Sequence, residues 1–311
     1  MLIRRYSKRT IKSYISWIKA FVDFNEQRHP NGLGEHEIKK FLTYLAVKRT
    51  VSSSTQGVAL NALAFLYNKF LQNPLGDLDA FKRATCQPKL PTVLSQQEVK
   101  SLFKCFDPKY RLIAGLLYGS GLRRLELVRL RAHDIDFDHL QVRIWNGKGF
   151  KHRLTTLASE PVTALKRQIE RVNHILADDL ENQNYVGVWM PDALARKYSS
   201  ANKTLGWQYL FPAHKLSIEP GTTNIRRHYI DESSVNKVIR QAKQKAGIIK
   251  QVTSHTLRHS FATHLLQNGA DIRTVQQQLG HADVKTTEIY IHVIKQGANG
   301  VISPLSHLLS E

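Results

Sequence analysis

Residues 253–266 read TSHTLRHSFATHLL, a segment in which capping residues precede a predicted helix. Thr253 and Ser254 supply the predicted N-cap, because a hydroxyl there can accept a hydrogen bond from an unpaired backbone amide of the first turn. His255 and Arg258 are three residues apart, so both project from one face near the positively polarised start of the helix. The segment therefore predicts an anion site.

Two earlier segments carry a second arginine and a lysine. GSGLRRLEL, residues 119–127, places Arg123 after a glycine turn at the predicted start of a helix, with Glu126 three residues further on. NGKGFK, residues 146–151, places Lys148 at the predicted tip of a hairpin, between two glycines that let it approach a ligand closely. Such an arginine is usually a surface residue and such a lysine is usually an exposed turn residue, so each segment alone is weak evidence.

A fourth segment, LGHADVKTTEIYIH at residues 279–292, adds a histidine and a tyrosine. His281 follows a glycine, and Asp283 is the predicted N-cap of a helix that carries Tyr290. A tyrosine on an amphipathic helix usually belongs to the core. A functional interpretation therefore depends on the combination of all four segments.

Together the four segments supply two guanidinium groups, a lysine, two imidazoles and a phenol, the set needed to attack a DNA phosphodiester without a metal. The two arginines can hold the nonbridging oxygens and offset the charge that accumulates in the transition state. Tyr290 can attack phosphorus covalently, and Lys148 can protonate the departing 5′ oxygen. The hydroxyl of another strand can then attack the phosphotyrosine, so strands are exchanged without ATP.

The whole chain is strongly basic, with 45 Lys and Arg against 25 Asp and Glu and a formal charge of +20 at pH 7, which favours a polyanionic partner. A composition of 42% hydrophobic residues excludes a mainly disordered chain. The sequence shows neither a membrane span nor a signal-peptide core after its basic start, so we expect no membrane partner. Only Cys86 and Cys105 occur, and we expect a reducing bacterial cytoplasm, at the nucleoid.

The sequence divides into two predicted domains. Residues 1–81 carry apolar residues at helical spacing and predict a small helical bundle that binds DNA. Two prolines indicate an extended linker at 82–93. The segment SQQE at residues 95–98 is a predicted capping box, and it opens a second domain at 94–311 that contains the predicted hairpin.

In combination, GLRRLEL, NGKGFK, HTLRHSFATHLL and LGHADVKTTEIYIH resemble the motif series of tyrosine recombinases, the phage integrase family, over about residues 95–295. The resemblance implies a mainly α fold with a small antiparallel sheet, in which a SAM-like core-binding domain and a catalytic domain form a C-shaped clamp around DNA. It also implies a homotetramer on DNA, with no cofactor and no metal. Carried over position by position, it gives the catalytic set Arg123, Lys148, His255, Arg258, His281 and Tyr290, supported by Glu126.

In this family the C-terminal segment docks into a neighbouring subunit. Residues 303–309, SPLSHLL, are short and apolar, and both docking in trans and packing in cis stay open for them.

A narrower resemblance covers an insert at about residues 173–217, where VWMPDALARKY and GWQYLFP look like the helix-containing insert of integron integrases. It implies insertion and excision of gene cassettes at folded single-stranded hairpin sites as well as at duplex DNA. It also implies that an aromatic platform stacks on a protruding base. The sequence departs from the group at Ser199-Ser200, where a proline is common, and at Tyr229, where a second histidine is common. The implied base-recognition residues are Trp207, Pro220 and His228.

Four alternatives compete with these interpretations. The first is a general duplex recombinase for chromosome dimer resolution or phage integration, and the second is a catalytically silent DNA-binding protein. The third is a zinc hydrolase, because His255 and His259 have the spacing of a helical metal pair and His281 is a third ligand candidate, although Arg258 would repel a dication. The fourth concerns Trp207, which with its neighbour Tyr209 can instead be a core residue that anchors the insert.

Overall fold

The structure, a computed structural model, describes residue 1 and residues 6–75, 90–145 and 152–291. The chain divides into two compact units, Met1–Lys89 and Leu90–Glu311. The division falls within the predicted linker, of which residues 82–89 lie outside the described residues. Among the described helices, none is long and apolar enough to cross a membrane.

The first unit is helical over its described length. Its helices are α1 (Lys8–Phe24), α2 (Glu35–Val47) and α3 (Ser53–Phe65), which continues into the π-helical turn Leu66–Leu71. The Ser52 hydroxyl accepts a hydrogen bond from the backbone amide of Thr55 and so caps α3. The predicted helical bundle is confirmed, and its buried core is formed by Phe21, Ile38, Phe41, Leu42, Leu63 and Tyr67.

The second unit is also mainly helical. The Ser95 hydroxyl and the Glu98 carboxylate each accept a hydrogen bond from the other residue's backbone amide, which confirms the predicted capping box at the start of this unit. The described helices are α4 (Gln96–Lys104), α5 (Pro108–Gly119), α6 (Arg124–Val128), α7 (Val162–Glu181), α8 (Asp192–Lys197), α9 (Glu232–Lys245), α10 (Ser254–Gln267), α11 (Ile272–Leu279) and α12 (Lys285–Glu288).

Two small antiparallel sheets complete the second unit, so the predicted fold class, mainly α with little sheet, is confirmed. The first contains β1 (Ile135–Asp136), β2 (Gln141–Ile144) and β3 (Arg153–Thr156) in that order. The second pairs β4 (Ser217–Ile218) with β5 (Ile225–Arg226). The predicted hairpin is the β2–β3 pair, and its turn at residues 146–151 lies outside the described residues.

Helix α10 occupies the centre of the second unit, packed against α5, α9 and α11. Many of its buried side chains are polar, and they are largely paired. The Ser260 hydroxyl accepts a hydrogen bond from the Leu94 amide and donates one to the Thr256 carbonyl. The His264 ring lies 2.8 Å from the Tyr118 hydroxyl. Because these contacts fix the rotation of α10, they also fix the direction in which its functional residues project.

The predicted insert at about residues 173–217 begins inside α7. Helix α7 passes residue 173 without a break and ends at Glu181, and the chain beyond it forms α8 and two 3₁₀ turns, Ala201–Lys203 and Leu205–Trp207. The buried side chain of Arg131 connects these turns to the rest of the unit. Its guanidinium donates to the carbonyls of Trp189, at 2.7 Å, and Trp207. It also lies over two aromatic rings of the insert, 5.3 Å from the Trp207 centroid and 4.6 Å from the Tyr209 centroid.

Candidate active site

The Glu126 carboxylate organises one side of the site. It accepts hydrogen bonds from the backbone amide and the Nη1 of Arg123, both at 2.8 Å. Arg123 lies at the N-cap of the short helix α6, and its Nη2 donates to the Gly280 carbonyl at 3.2 Å. The Arg123 side chain is 20% exposed, so its guanidinium is fixed by Glu126 and Gly280 on one side and is accessible to a ligand on the other.

Arg153, on β3, is a second cation on the same carboxylate. Its Nη1 and Nη2 donate to Oε1 and Oε2 of Glu126 at 2.8 and 2.7 Å, and its Nε donates to the Gln278 carbonyl. Burial alone would raise the pKa of Glu126, but the hydrogen bonds and charges of Arg153 and Arg123 outweigh it and hold that pKa at about 2. Glu126 is therefore ionised at neutral pH.

Arg258 is the most deeply buried cation of the site, with 3% of its surface exposed. Its Nη1 donates to the Gly121 carbonyl, and its Nη2 donates to the Leu279 carbonyl. Burial and the nearby charge of Arg123 lower the pKa of Arg258 to about 9, which still leaves it protonated at neutral pH. The Arg258 guanidinium thus connects the segment at Gly121 with the end of α11 at Leu279, which lies far from it in sequence.

The two glycines beside these arginines occupy the left-handed region of the backbone. Gly121 has a φ of +60°, and an added Cβ would lie 2.4 Å from the Phe261 ring. Gly280, which ends α11, has a φ of +62°, and an added Cβ would lie 2.8 Å from the Arg153 side chain. A side chain at either position would therefore combine backbone strain with a clash inside the arginine cluster.

His281 follows Gly280 and contacts Arg258. Its Nε2 lies 3.3 Å from Nη2 of Arg258, and its Nδ1 lies 3.0 Å from the Thr287 hydroxyl. Burial, with the charges of Arg258 and Arg123, lowers the pKa of His281 to about 3. The ring is therefore neutral, and the network assigns its proton to Nδ1, because Nε2 faces a group that can only donate.

Tyr290 is fully buried, with 1% of its surface exposed, and it lies just beyond α12. The prediction that it lies on a helix capped by Asp283 is wrong in detail. The helix has only four residues, its N-cap is Val284, and it ends at Glu288, although the Asp283 carboxylate does accept a bond from the Lys285 amide. The β-branched residues Ile289 and Ile291 flank Tyr290, and residues of this type disfavour continuation of such a short helix.

The Tyr290 hydroxyl contacts a histidine outside the predicted catalytic set. It lies 2.8 Å from Nδ1 of His259, on α10, while the His281 ring stacks beside the Tyr290 ring with centroids 6.4 Å apart. Burial raises the pKa of Tyr290, and the charges of Arg258 and Arg123 oppose part of that rise. The phenol is therefore protonated at neutral pH.

His255 lies one turn before His259 on α10, and it is the most exposed member of the predicted set that the structure describes. Partial desolvation and the charges of Arg258, Arg124 and Arg123 lower its pKa. Lys148 lies outside the described residues. The structure thus brings five of the predicted catalytic or supporting residues into one cluster, with His255 at its edge: Arg123, Glu126, Arg258, His281 and Tyr290.

The predicted base-recognition residues are more dispersed. Trp207 is half-buried against Arg131 and meets the His133 ring edge-on at 4.8 Å between centroids. Pro220 is exposed in the turn between β4 and β5, and His228 is half-buried after β5. Within the described parts of the chain, no hydrogen bond or ring contact links these three residues to one another.

The histidines proposed in the zinc alternative are arranged for hydrogen bonding. His259 contacts Tyr290 through Nδ1, and both ring nitrogens of His281 have partners in Arg258 and Thr287. Across residues 6–75, 90–145 and 152–291, no group of three or more His, Cys, Asp or Glu side chains is arranged to hold a metal ion.

Sequence reasoning missed Arg153 and the contact of His259. Arg153 follows the tip of the predicted hairpin, and nothing in the local sequence shows that this part of the chain lies beside Glu126. For His259, a signal was present: it is adjacent to Arg258 and four residues after His255, so it lies close to the same helical face. Its partner Tyr290 is 31 residues away, and only the fold brings the two together.

Comparison with known proteins places this geometry in a family. The model of the phage integrase family matches residues 92–296, and that of the phage integrase N-terminal SAM-like domain matches residues 1–77. An integrase/recombinase of Escherichia coli is 43% identical over 304 residues, covering 97% of this chain and 90% of the relative. The tyrosine recombinase XerD of a Listeria monocytogenes strain is 29% identical over 307 residues, covering 94% of this chain and 90% of the relative.

A solved structure shows the same fold. It is that of the XerH site-specific recombinase bound to palindromic difH substrate in a post-cleavage complex, which superposes with a TM-score of 0.65 at 21% identity, covering 94% of this chain and 79% of that one. Fold and relatives define the class of the protein as a site-specific tyrosine recombinase. Within that class, the chain belongs to the phage integrase family, as the four sequence segments predicted.

Proposed function

We propose that this recombinase cleaves and rejoins DNA through a 3′ phosphotyrosine formed by Tyr290. The observation that carries the proposal is the convergence of Tyr290 with Arg258, His281 and the Arg123–Glu126 pair in one cluster, where the charges of both arginines act on the phenol. A phenol beside fixed cations is placed to attack a phosphodiester whose charge those cations hold.

Arg123 and Arg258 act on the nonbridging oxygens of the scissile phosphate. A guanidinium has five N–H donors. The contacts described above use two donors of Arg123 and three of Arg258, so donors remain for phosphate oxygens. His281 donates its Nδ1 proton to Thr287 and accepts from Arg258, which fixes the orientation of that guanidinium. In this proposal His255 binds phosphate at the edge of the cluster, and Lys148 protonates the departing 5′ oxygen.

DNA is the proposed partner of both units. The formal charge of +20 supports a polyanion, and XerH, which shares this fold, is described as bound to its difH substrate. The family resemblance adds that the enzyme works as a homotetramer that holds two DNA sites. Neither a metal nor ATP enters the chemistry, because the arginines neutralise the phosphate and the phosphotyrosine conserves the energy of the cleaved bond.

For the biological reaction, we propose the integron type: insertion and excision of gene cassettes at folded single-stranded sites. The support is the insert, which contains a short helix and presents two aromatic side chains to solvent, Trp189 at 42% exposed and Tyr198 at 46%. Exposed aromatic faces can stack on bases that protrude from an imperfect hairpin. Trp207, with Pro220 and His228, is the proposed base-recognition set.

A second candidate is duplex recombination of the Xer type. The observation that favours it is the similarity to XerD over 94% of this chain, together with the XerH fold. In that case the insert serves packing, which the contacts of Arg131 with Trp207 and Tyr209 would equally explain.

Two experiments test these proposals. Incubation with a nicked DNA target followed by denaturing electrophoresis is expected to trap a covalent adduct that Tyr290→Phe abolishes, and an adduct that survives this substitution would disprove the nucleophile. The second compares cleavage of a bulged single-stranded hairpin with cleavage of the matched perfect duplex. The integron type requires cleavage of the hairpin, whereas cleavage of the duplex alone supports the Xer type.

A further inference from the structure

His259 is the side chain that touches the nucleophilic hydroxyl. Its Nδ1 lies 2.8 Å from the Tyr290 oxygen, a normal length for a hydrogen bond, and the two ring centroids are 5.5 Å apart. The contact is shielded, because Tyr290 is fully buried and His259 is half-buried on the central helix α10. No role for His259 in recombination follows from the family motifs discussed above.

We propose that His259 is a catalytic residue, the base that accepts the proton of Tyr290 as the phenol attacks phosphorus. The inference rests on the proposed function, in which Tyr290 is the nucleophile. A phenol reacts poorly while protonated, and burial makes the proton of Tyr290 harder to remove. A proton acceptor within hydrogen-bond reach is therefore required, and His259 occupies that position.

The protonation state of His259 suits an acceptor. Burial, followed by the charges of His255 and Arg258, lowers the pKa of His259 to about 4, so the ring is neutral at neutral pH. The titratable and charged groups facing it are His255 and Arg258 on α10, and His281 and Tyr290 from the segment beyond α11. A bound phosphate adds negative charge to this cationic site and raises the basicity of His259.

The other two histidines are less suited to this task. His281 directs Nε2 towards Arg258 and Nδ1 towards Thr287, so neither of its nitrogens faces the phenol as an acceptor. His255 is exposed, its ring centroid lies 6.3 Å from that of His259, and among the described contacts no hydrogen bond joins it to Tyr290.

The step balances without a further reactant. As the bond between the Tyr290 oxygen and phosphorus forms, the phenolic proton moves to Nδ1 of His259 and the bond from phosphorus to the 5′ oxygen breaks. The leaving 5′ oxygen takes a proton from the Lys148 ammonium. Rejoining runs in reverse: the attacking hydroxyl returns its proton to Lys148, and the histidinium returns its proton to the phenol.

Single-turnover cleavage of nicked duplex DNA as a function of pH tests the proposal. His259→Asn and His259→Gln keep a hydrogen-bonding side chain but cannot take up the proton. We expect both variants to cleave on the order of 10² to 10⁴ times more slowly at neutral pH. We also expect their rates to rise about tenfold per pH unit, because tyrosinate must then form unaided. The wild-type rate should change little around neutral pH and fall on acidification, as His259 is protonated.

A substrate with sulfur in place of the bridging 5′ oxygen separates the base from the acid. A thiolate leaves without protonation, so this substrate should restore cleavage by Lys148→Ala and should not restore cleavage by the His259 variants. The control is His264→Asn, the same change at a buried histidine of α10 that contacts Tyr118. It should keep the wild-type pH profile, and thermal melting identifies any variant that has lost its fold.

The outcomes separate this inference from the proposed function. Wild-type protein that forms no Tyr290 adduct contradicts the proposed function itself. The role of His259 alone is overturned if the wild-type protein forms the adduct and the folded His259 variants keep the wild-type pH profile. The same conclusion follows if the sulfur substrate restores cleavage by these variants. The proposal is supported if the His259 variants cleave slowly, if their rate rises with pH and if the sulfur substrate does not restore their cleavage.

Discussion

Arg153 and Glu126 form a two-point ion pair, with Nη1 2.8 Å from Oε1 and Nη2 2.7 Å from Oε2. Both side chains are less than a tenth exposed. The same carboxylate also accepts a hydrogen bond from Arg123, so Glu126 connects strand β3 with the start of helix α6. Glu126 therefore links Arg123 with Arg153, and a substitution of any one of these three residues is expected to affect the other two.

Removal of Arg153 should leave Glu126 as a buried charge with one partner fewer. We expect Arg153→Met to lower the free energy of unfolding by about 3 to 5 kcal/mol, as is typical for one partner of a buried pair. The double variant Arg153→Met/Glu126→Leu also takes the carboxylate partner from Arg123. Its loss should still be smaller than the sum of the losses in Arg153→Met and Glu126→Leu, because the contact between the two side chains can be lost only once. Urea unfolding of the two single variants and the double variant measures this difference, and additive losses would show that the pair is not coupled.

Gly280 tests the packing behind the arginines. Gly280→Ala should strain a backbone with a φ of +62° and push the added Cβ against Arg153. Gly247→Ala is a matched control, because Gly247 has a φ of +66° but nothing within 4 Å of an added Cβ. We expect both variants to lose about 1 kcal/mol of stability from strain. Only Gly280→Ala should also lose DNA cleavage, and equal cleavage by the two variants would contradict this account.

Arg124, the residue after Arg123, provides a control for the loss of the Arg123 guanidinium. We expect Arg123→Lys to slow cleavage on the order of 10² to 10³ times, by analogy with the loss of one donor to a developing charge. DNA binding should weaken far less. Arg124 pairs with Glu232 at 3.0 Å instead, so Arg124→Lys should keep most of the cleavage rate. Because both substitutions keep the positive charge, a similar slowing in both variants would show that the effect does not depend on a guanidinium contact specific to Arg123.

Two half-buried histidines, His259 and His281, predict a loss of stability in mild acid. Burial holds the pKa of His259 at about 4 and that of His281 at about 3, below the value of about 6.5 expected in the unfolded chain. Between about pH 4 and 6.5 the unfolded state therefore binds more protons, and the free energy of unfolding falls as the pH is lowered through this window. Glu126, which has a pKa of about 2 in the folded protein, stays ionised in the folded and the unfolded state over the upper part of this pH window.

Urea unfolding at several pH values measures this dependence. His259→Asn/His281→Asn should flatten it between about pH 4.5 and 6.5, because two groups that take up protons only on unfolding are removed. A double variant with the wild-type slope would locate the acid sensitivity elsewhere in the chain.

Trp207 separates stacking on DNA from packing of the insert. If Trp207 is the platform for a protruding base, Trp207→Ala should weaken binding to a bulged hairpin by roughly 1 to 3 kcal/mol and leave perfect-duplex affinity nearly unchanged. His133→Ala removes the ring that packs edge-on against Trp207 while keeping the platform, so it reports the effect of packing alone. Equal losses on both DNAs, shared by both variants, would indicate that Trp207 anchors the insert.

Local chemistry made much of this fold predictable. The capping box at Ser95 and the β2–β3 hairpin follow from side chains within a few residues of one another. The helical residue Arg258 was likewise predicted beside an anion site from spacing alone. Contacts between distant segments were not predictable in this way: Arg153 meets Glu126 across 27 residues and His259 meets Tyr290 across 31, and both depend on how α10, α11 and β3 pack.

Tyr290 shows the limit of a helical pattern. It was predicted to lie on a helix with Asp283 as the N-cap, whereas the chain leaves the helix at Glu288 and turns the phenol inward towards His259. Burial of the ring and the hydrogen bond of its hydroxyl determine this position, and neither can be read from the segment itself.

The anchorage of the insert by Arg131 has a consequence for protein engineering. Because this guanidinium lies outside the insert yet binds the carbonyls of Trp189 and Trp207, transplanting the insert alone into another recombinase would leave those carbonyls without their donor. A functional chimera would need to carry over Arg131, together with Asp134, whose carboxylate accepts a bond from the Arg131 amide. A transplant of the predicted insert is therefore defined by the contacts of Arg131 as well as by the ends of the segment in the chain.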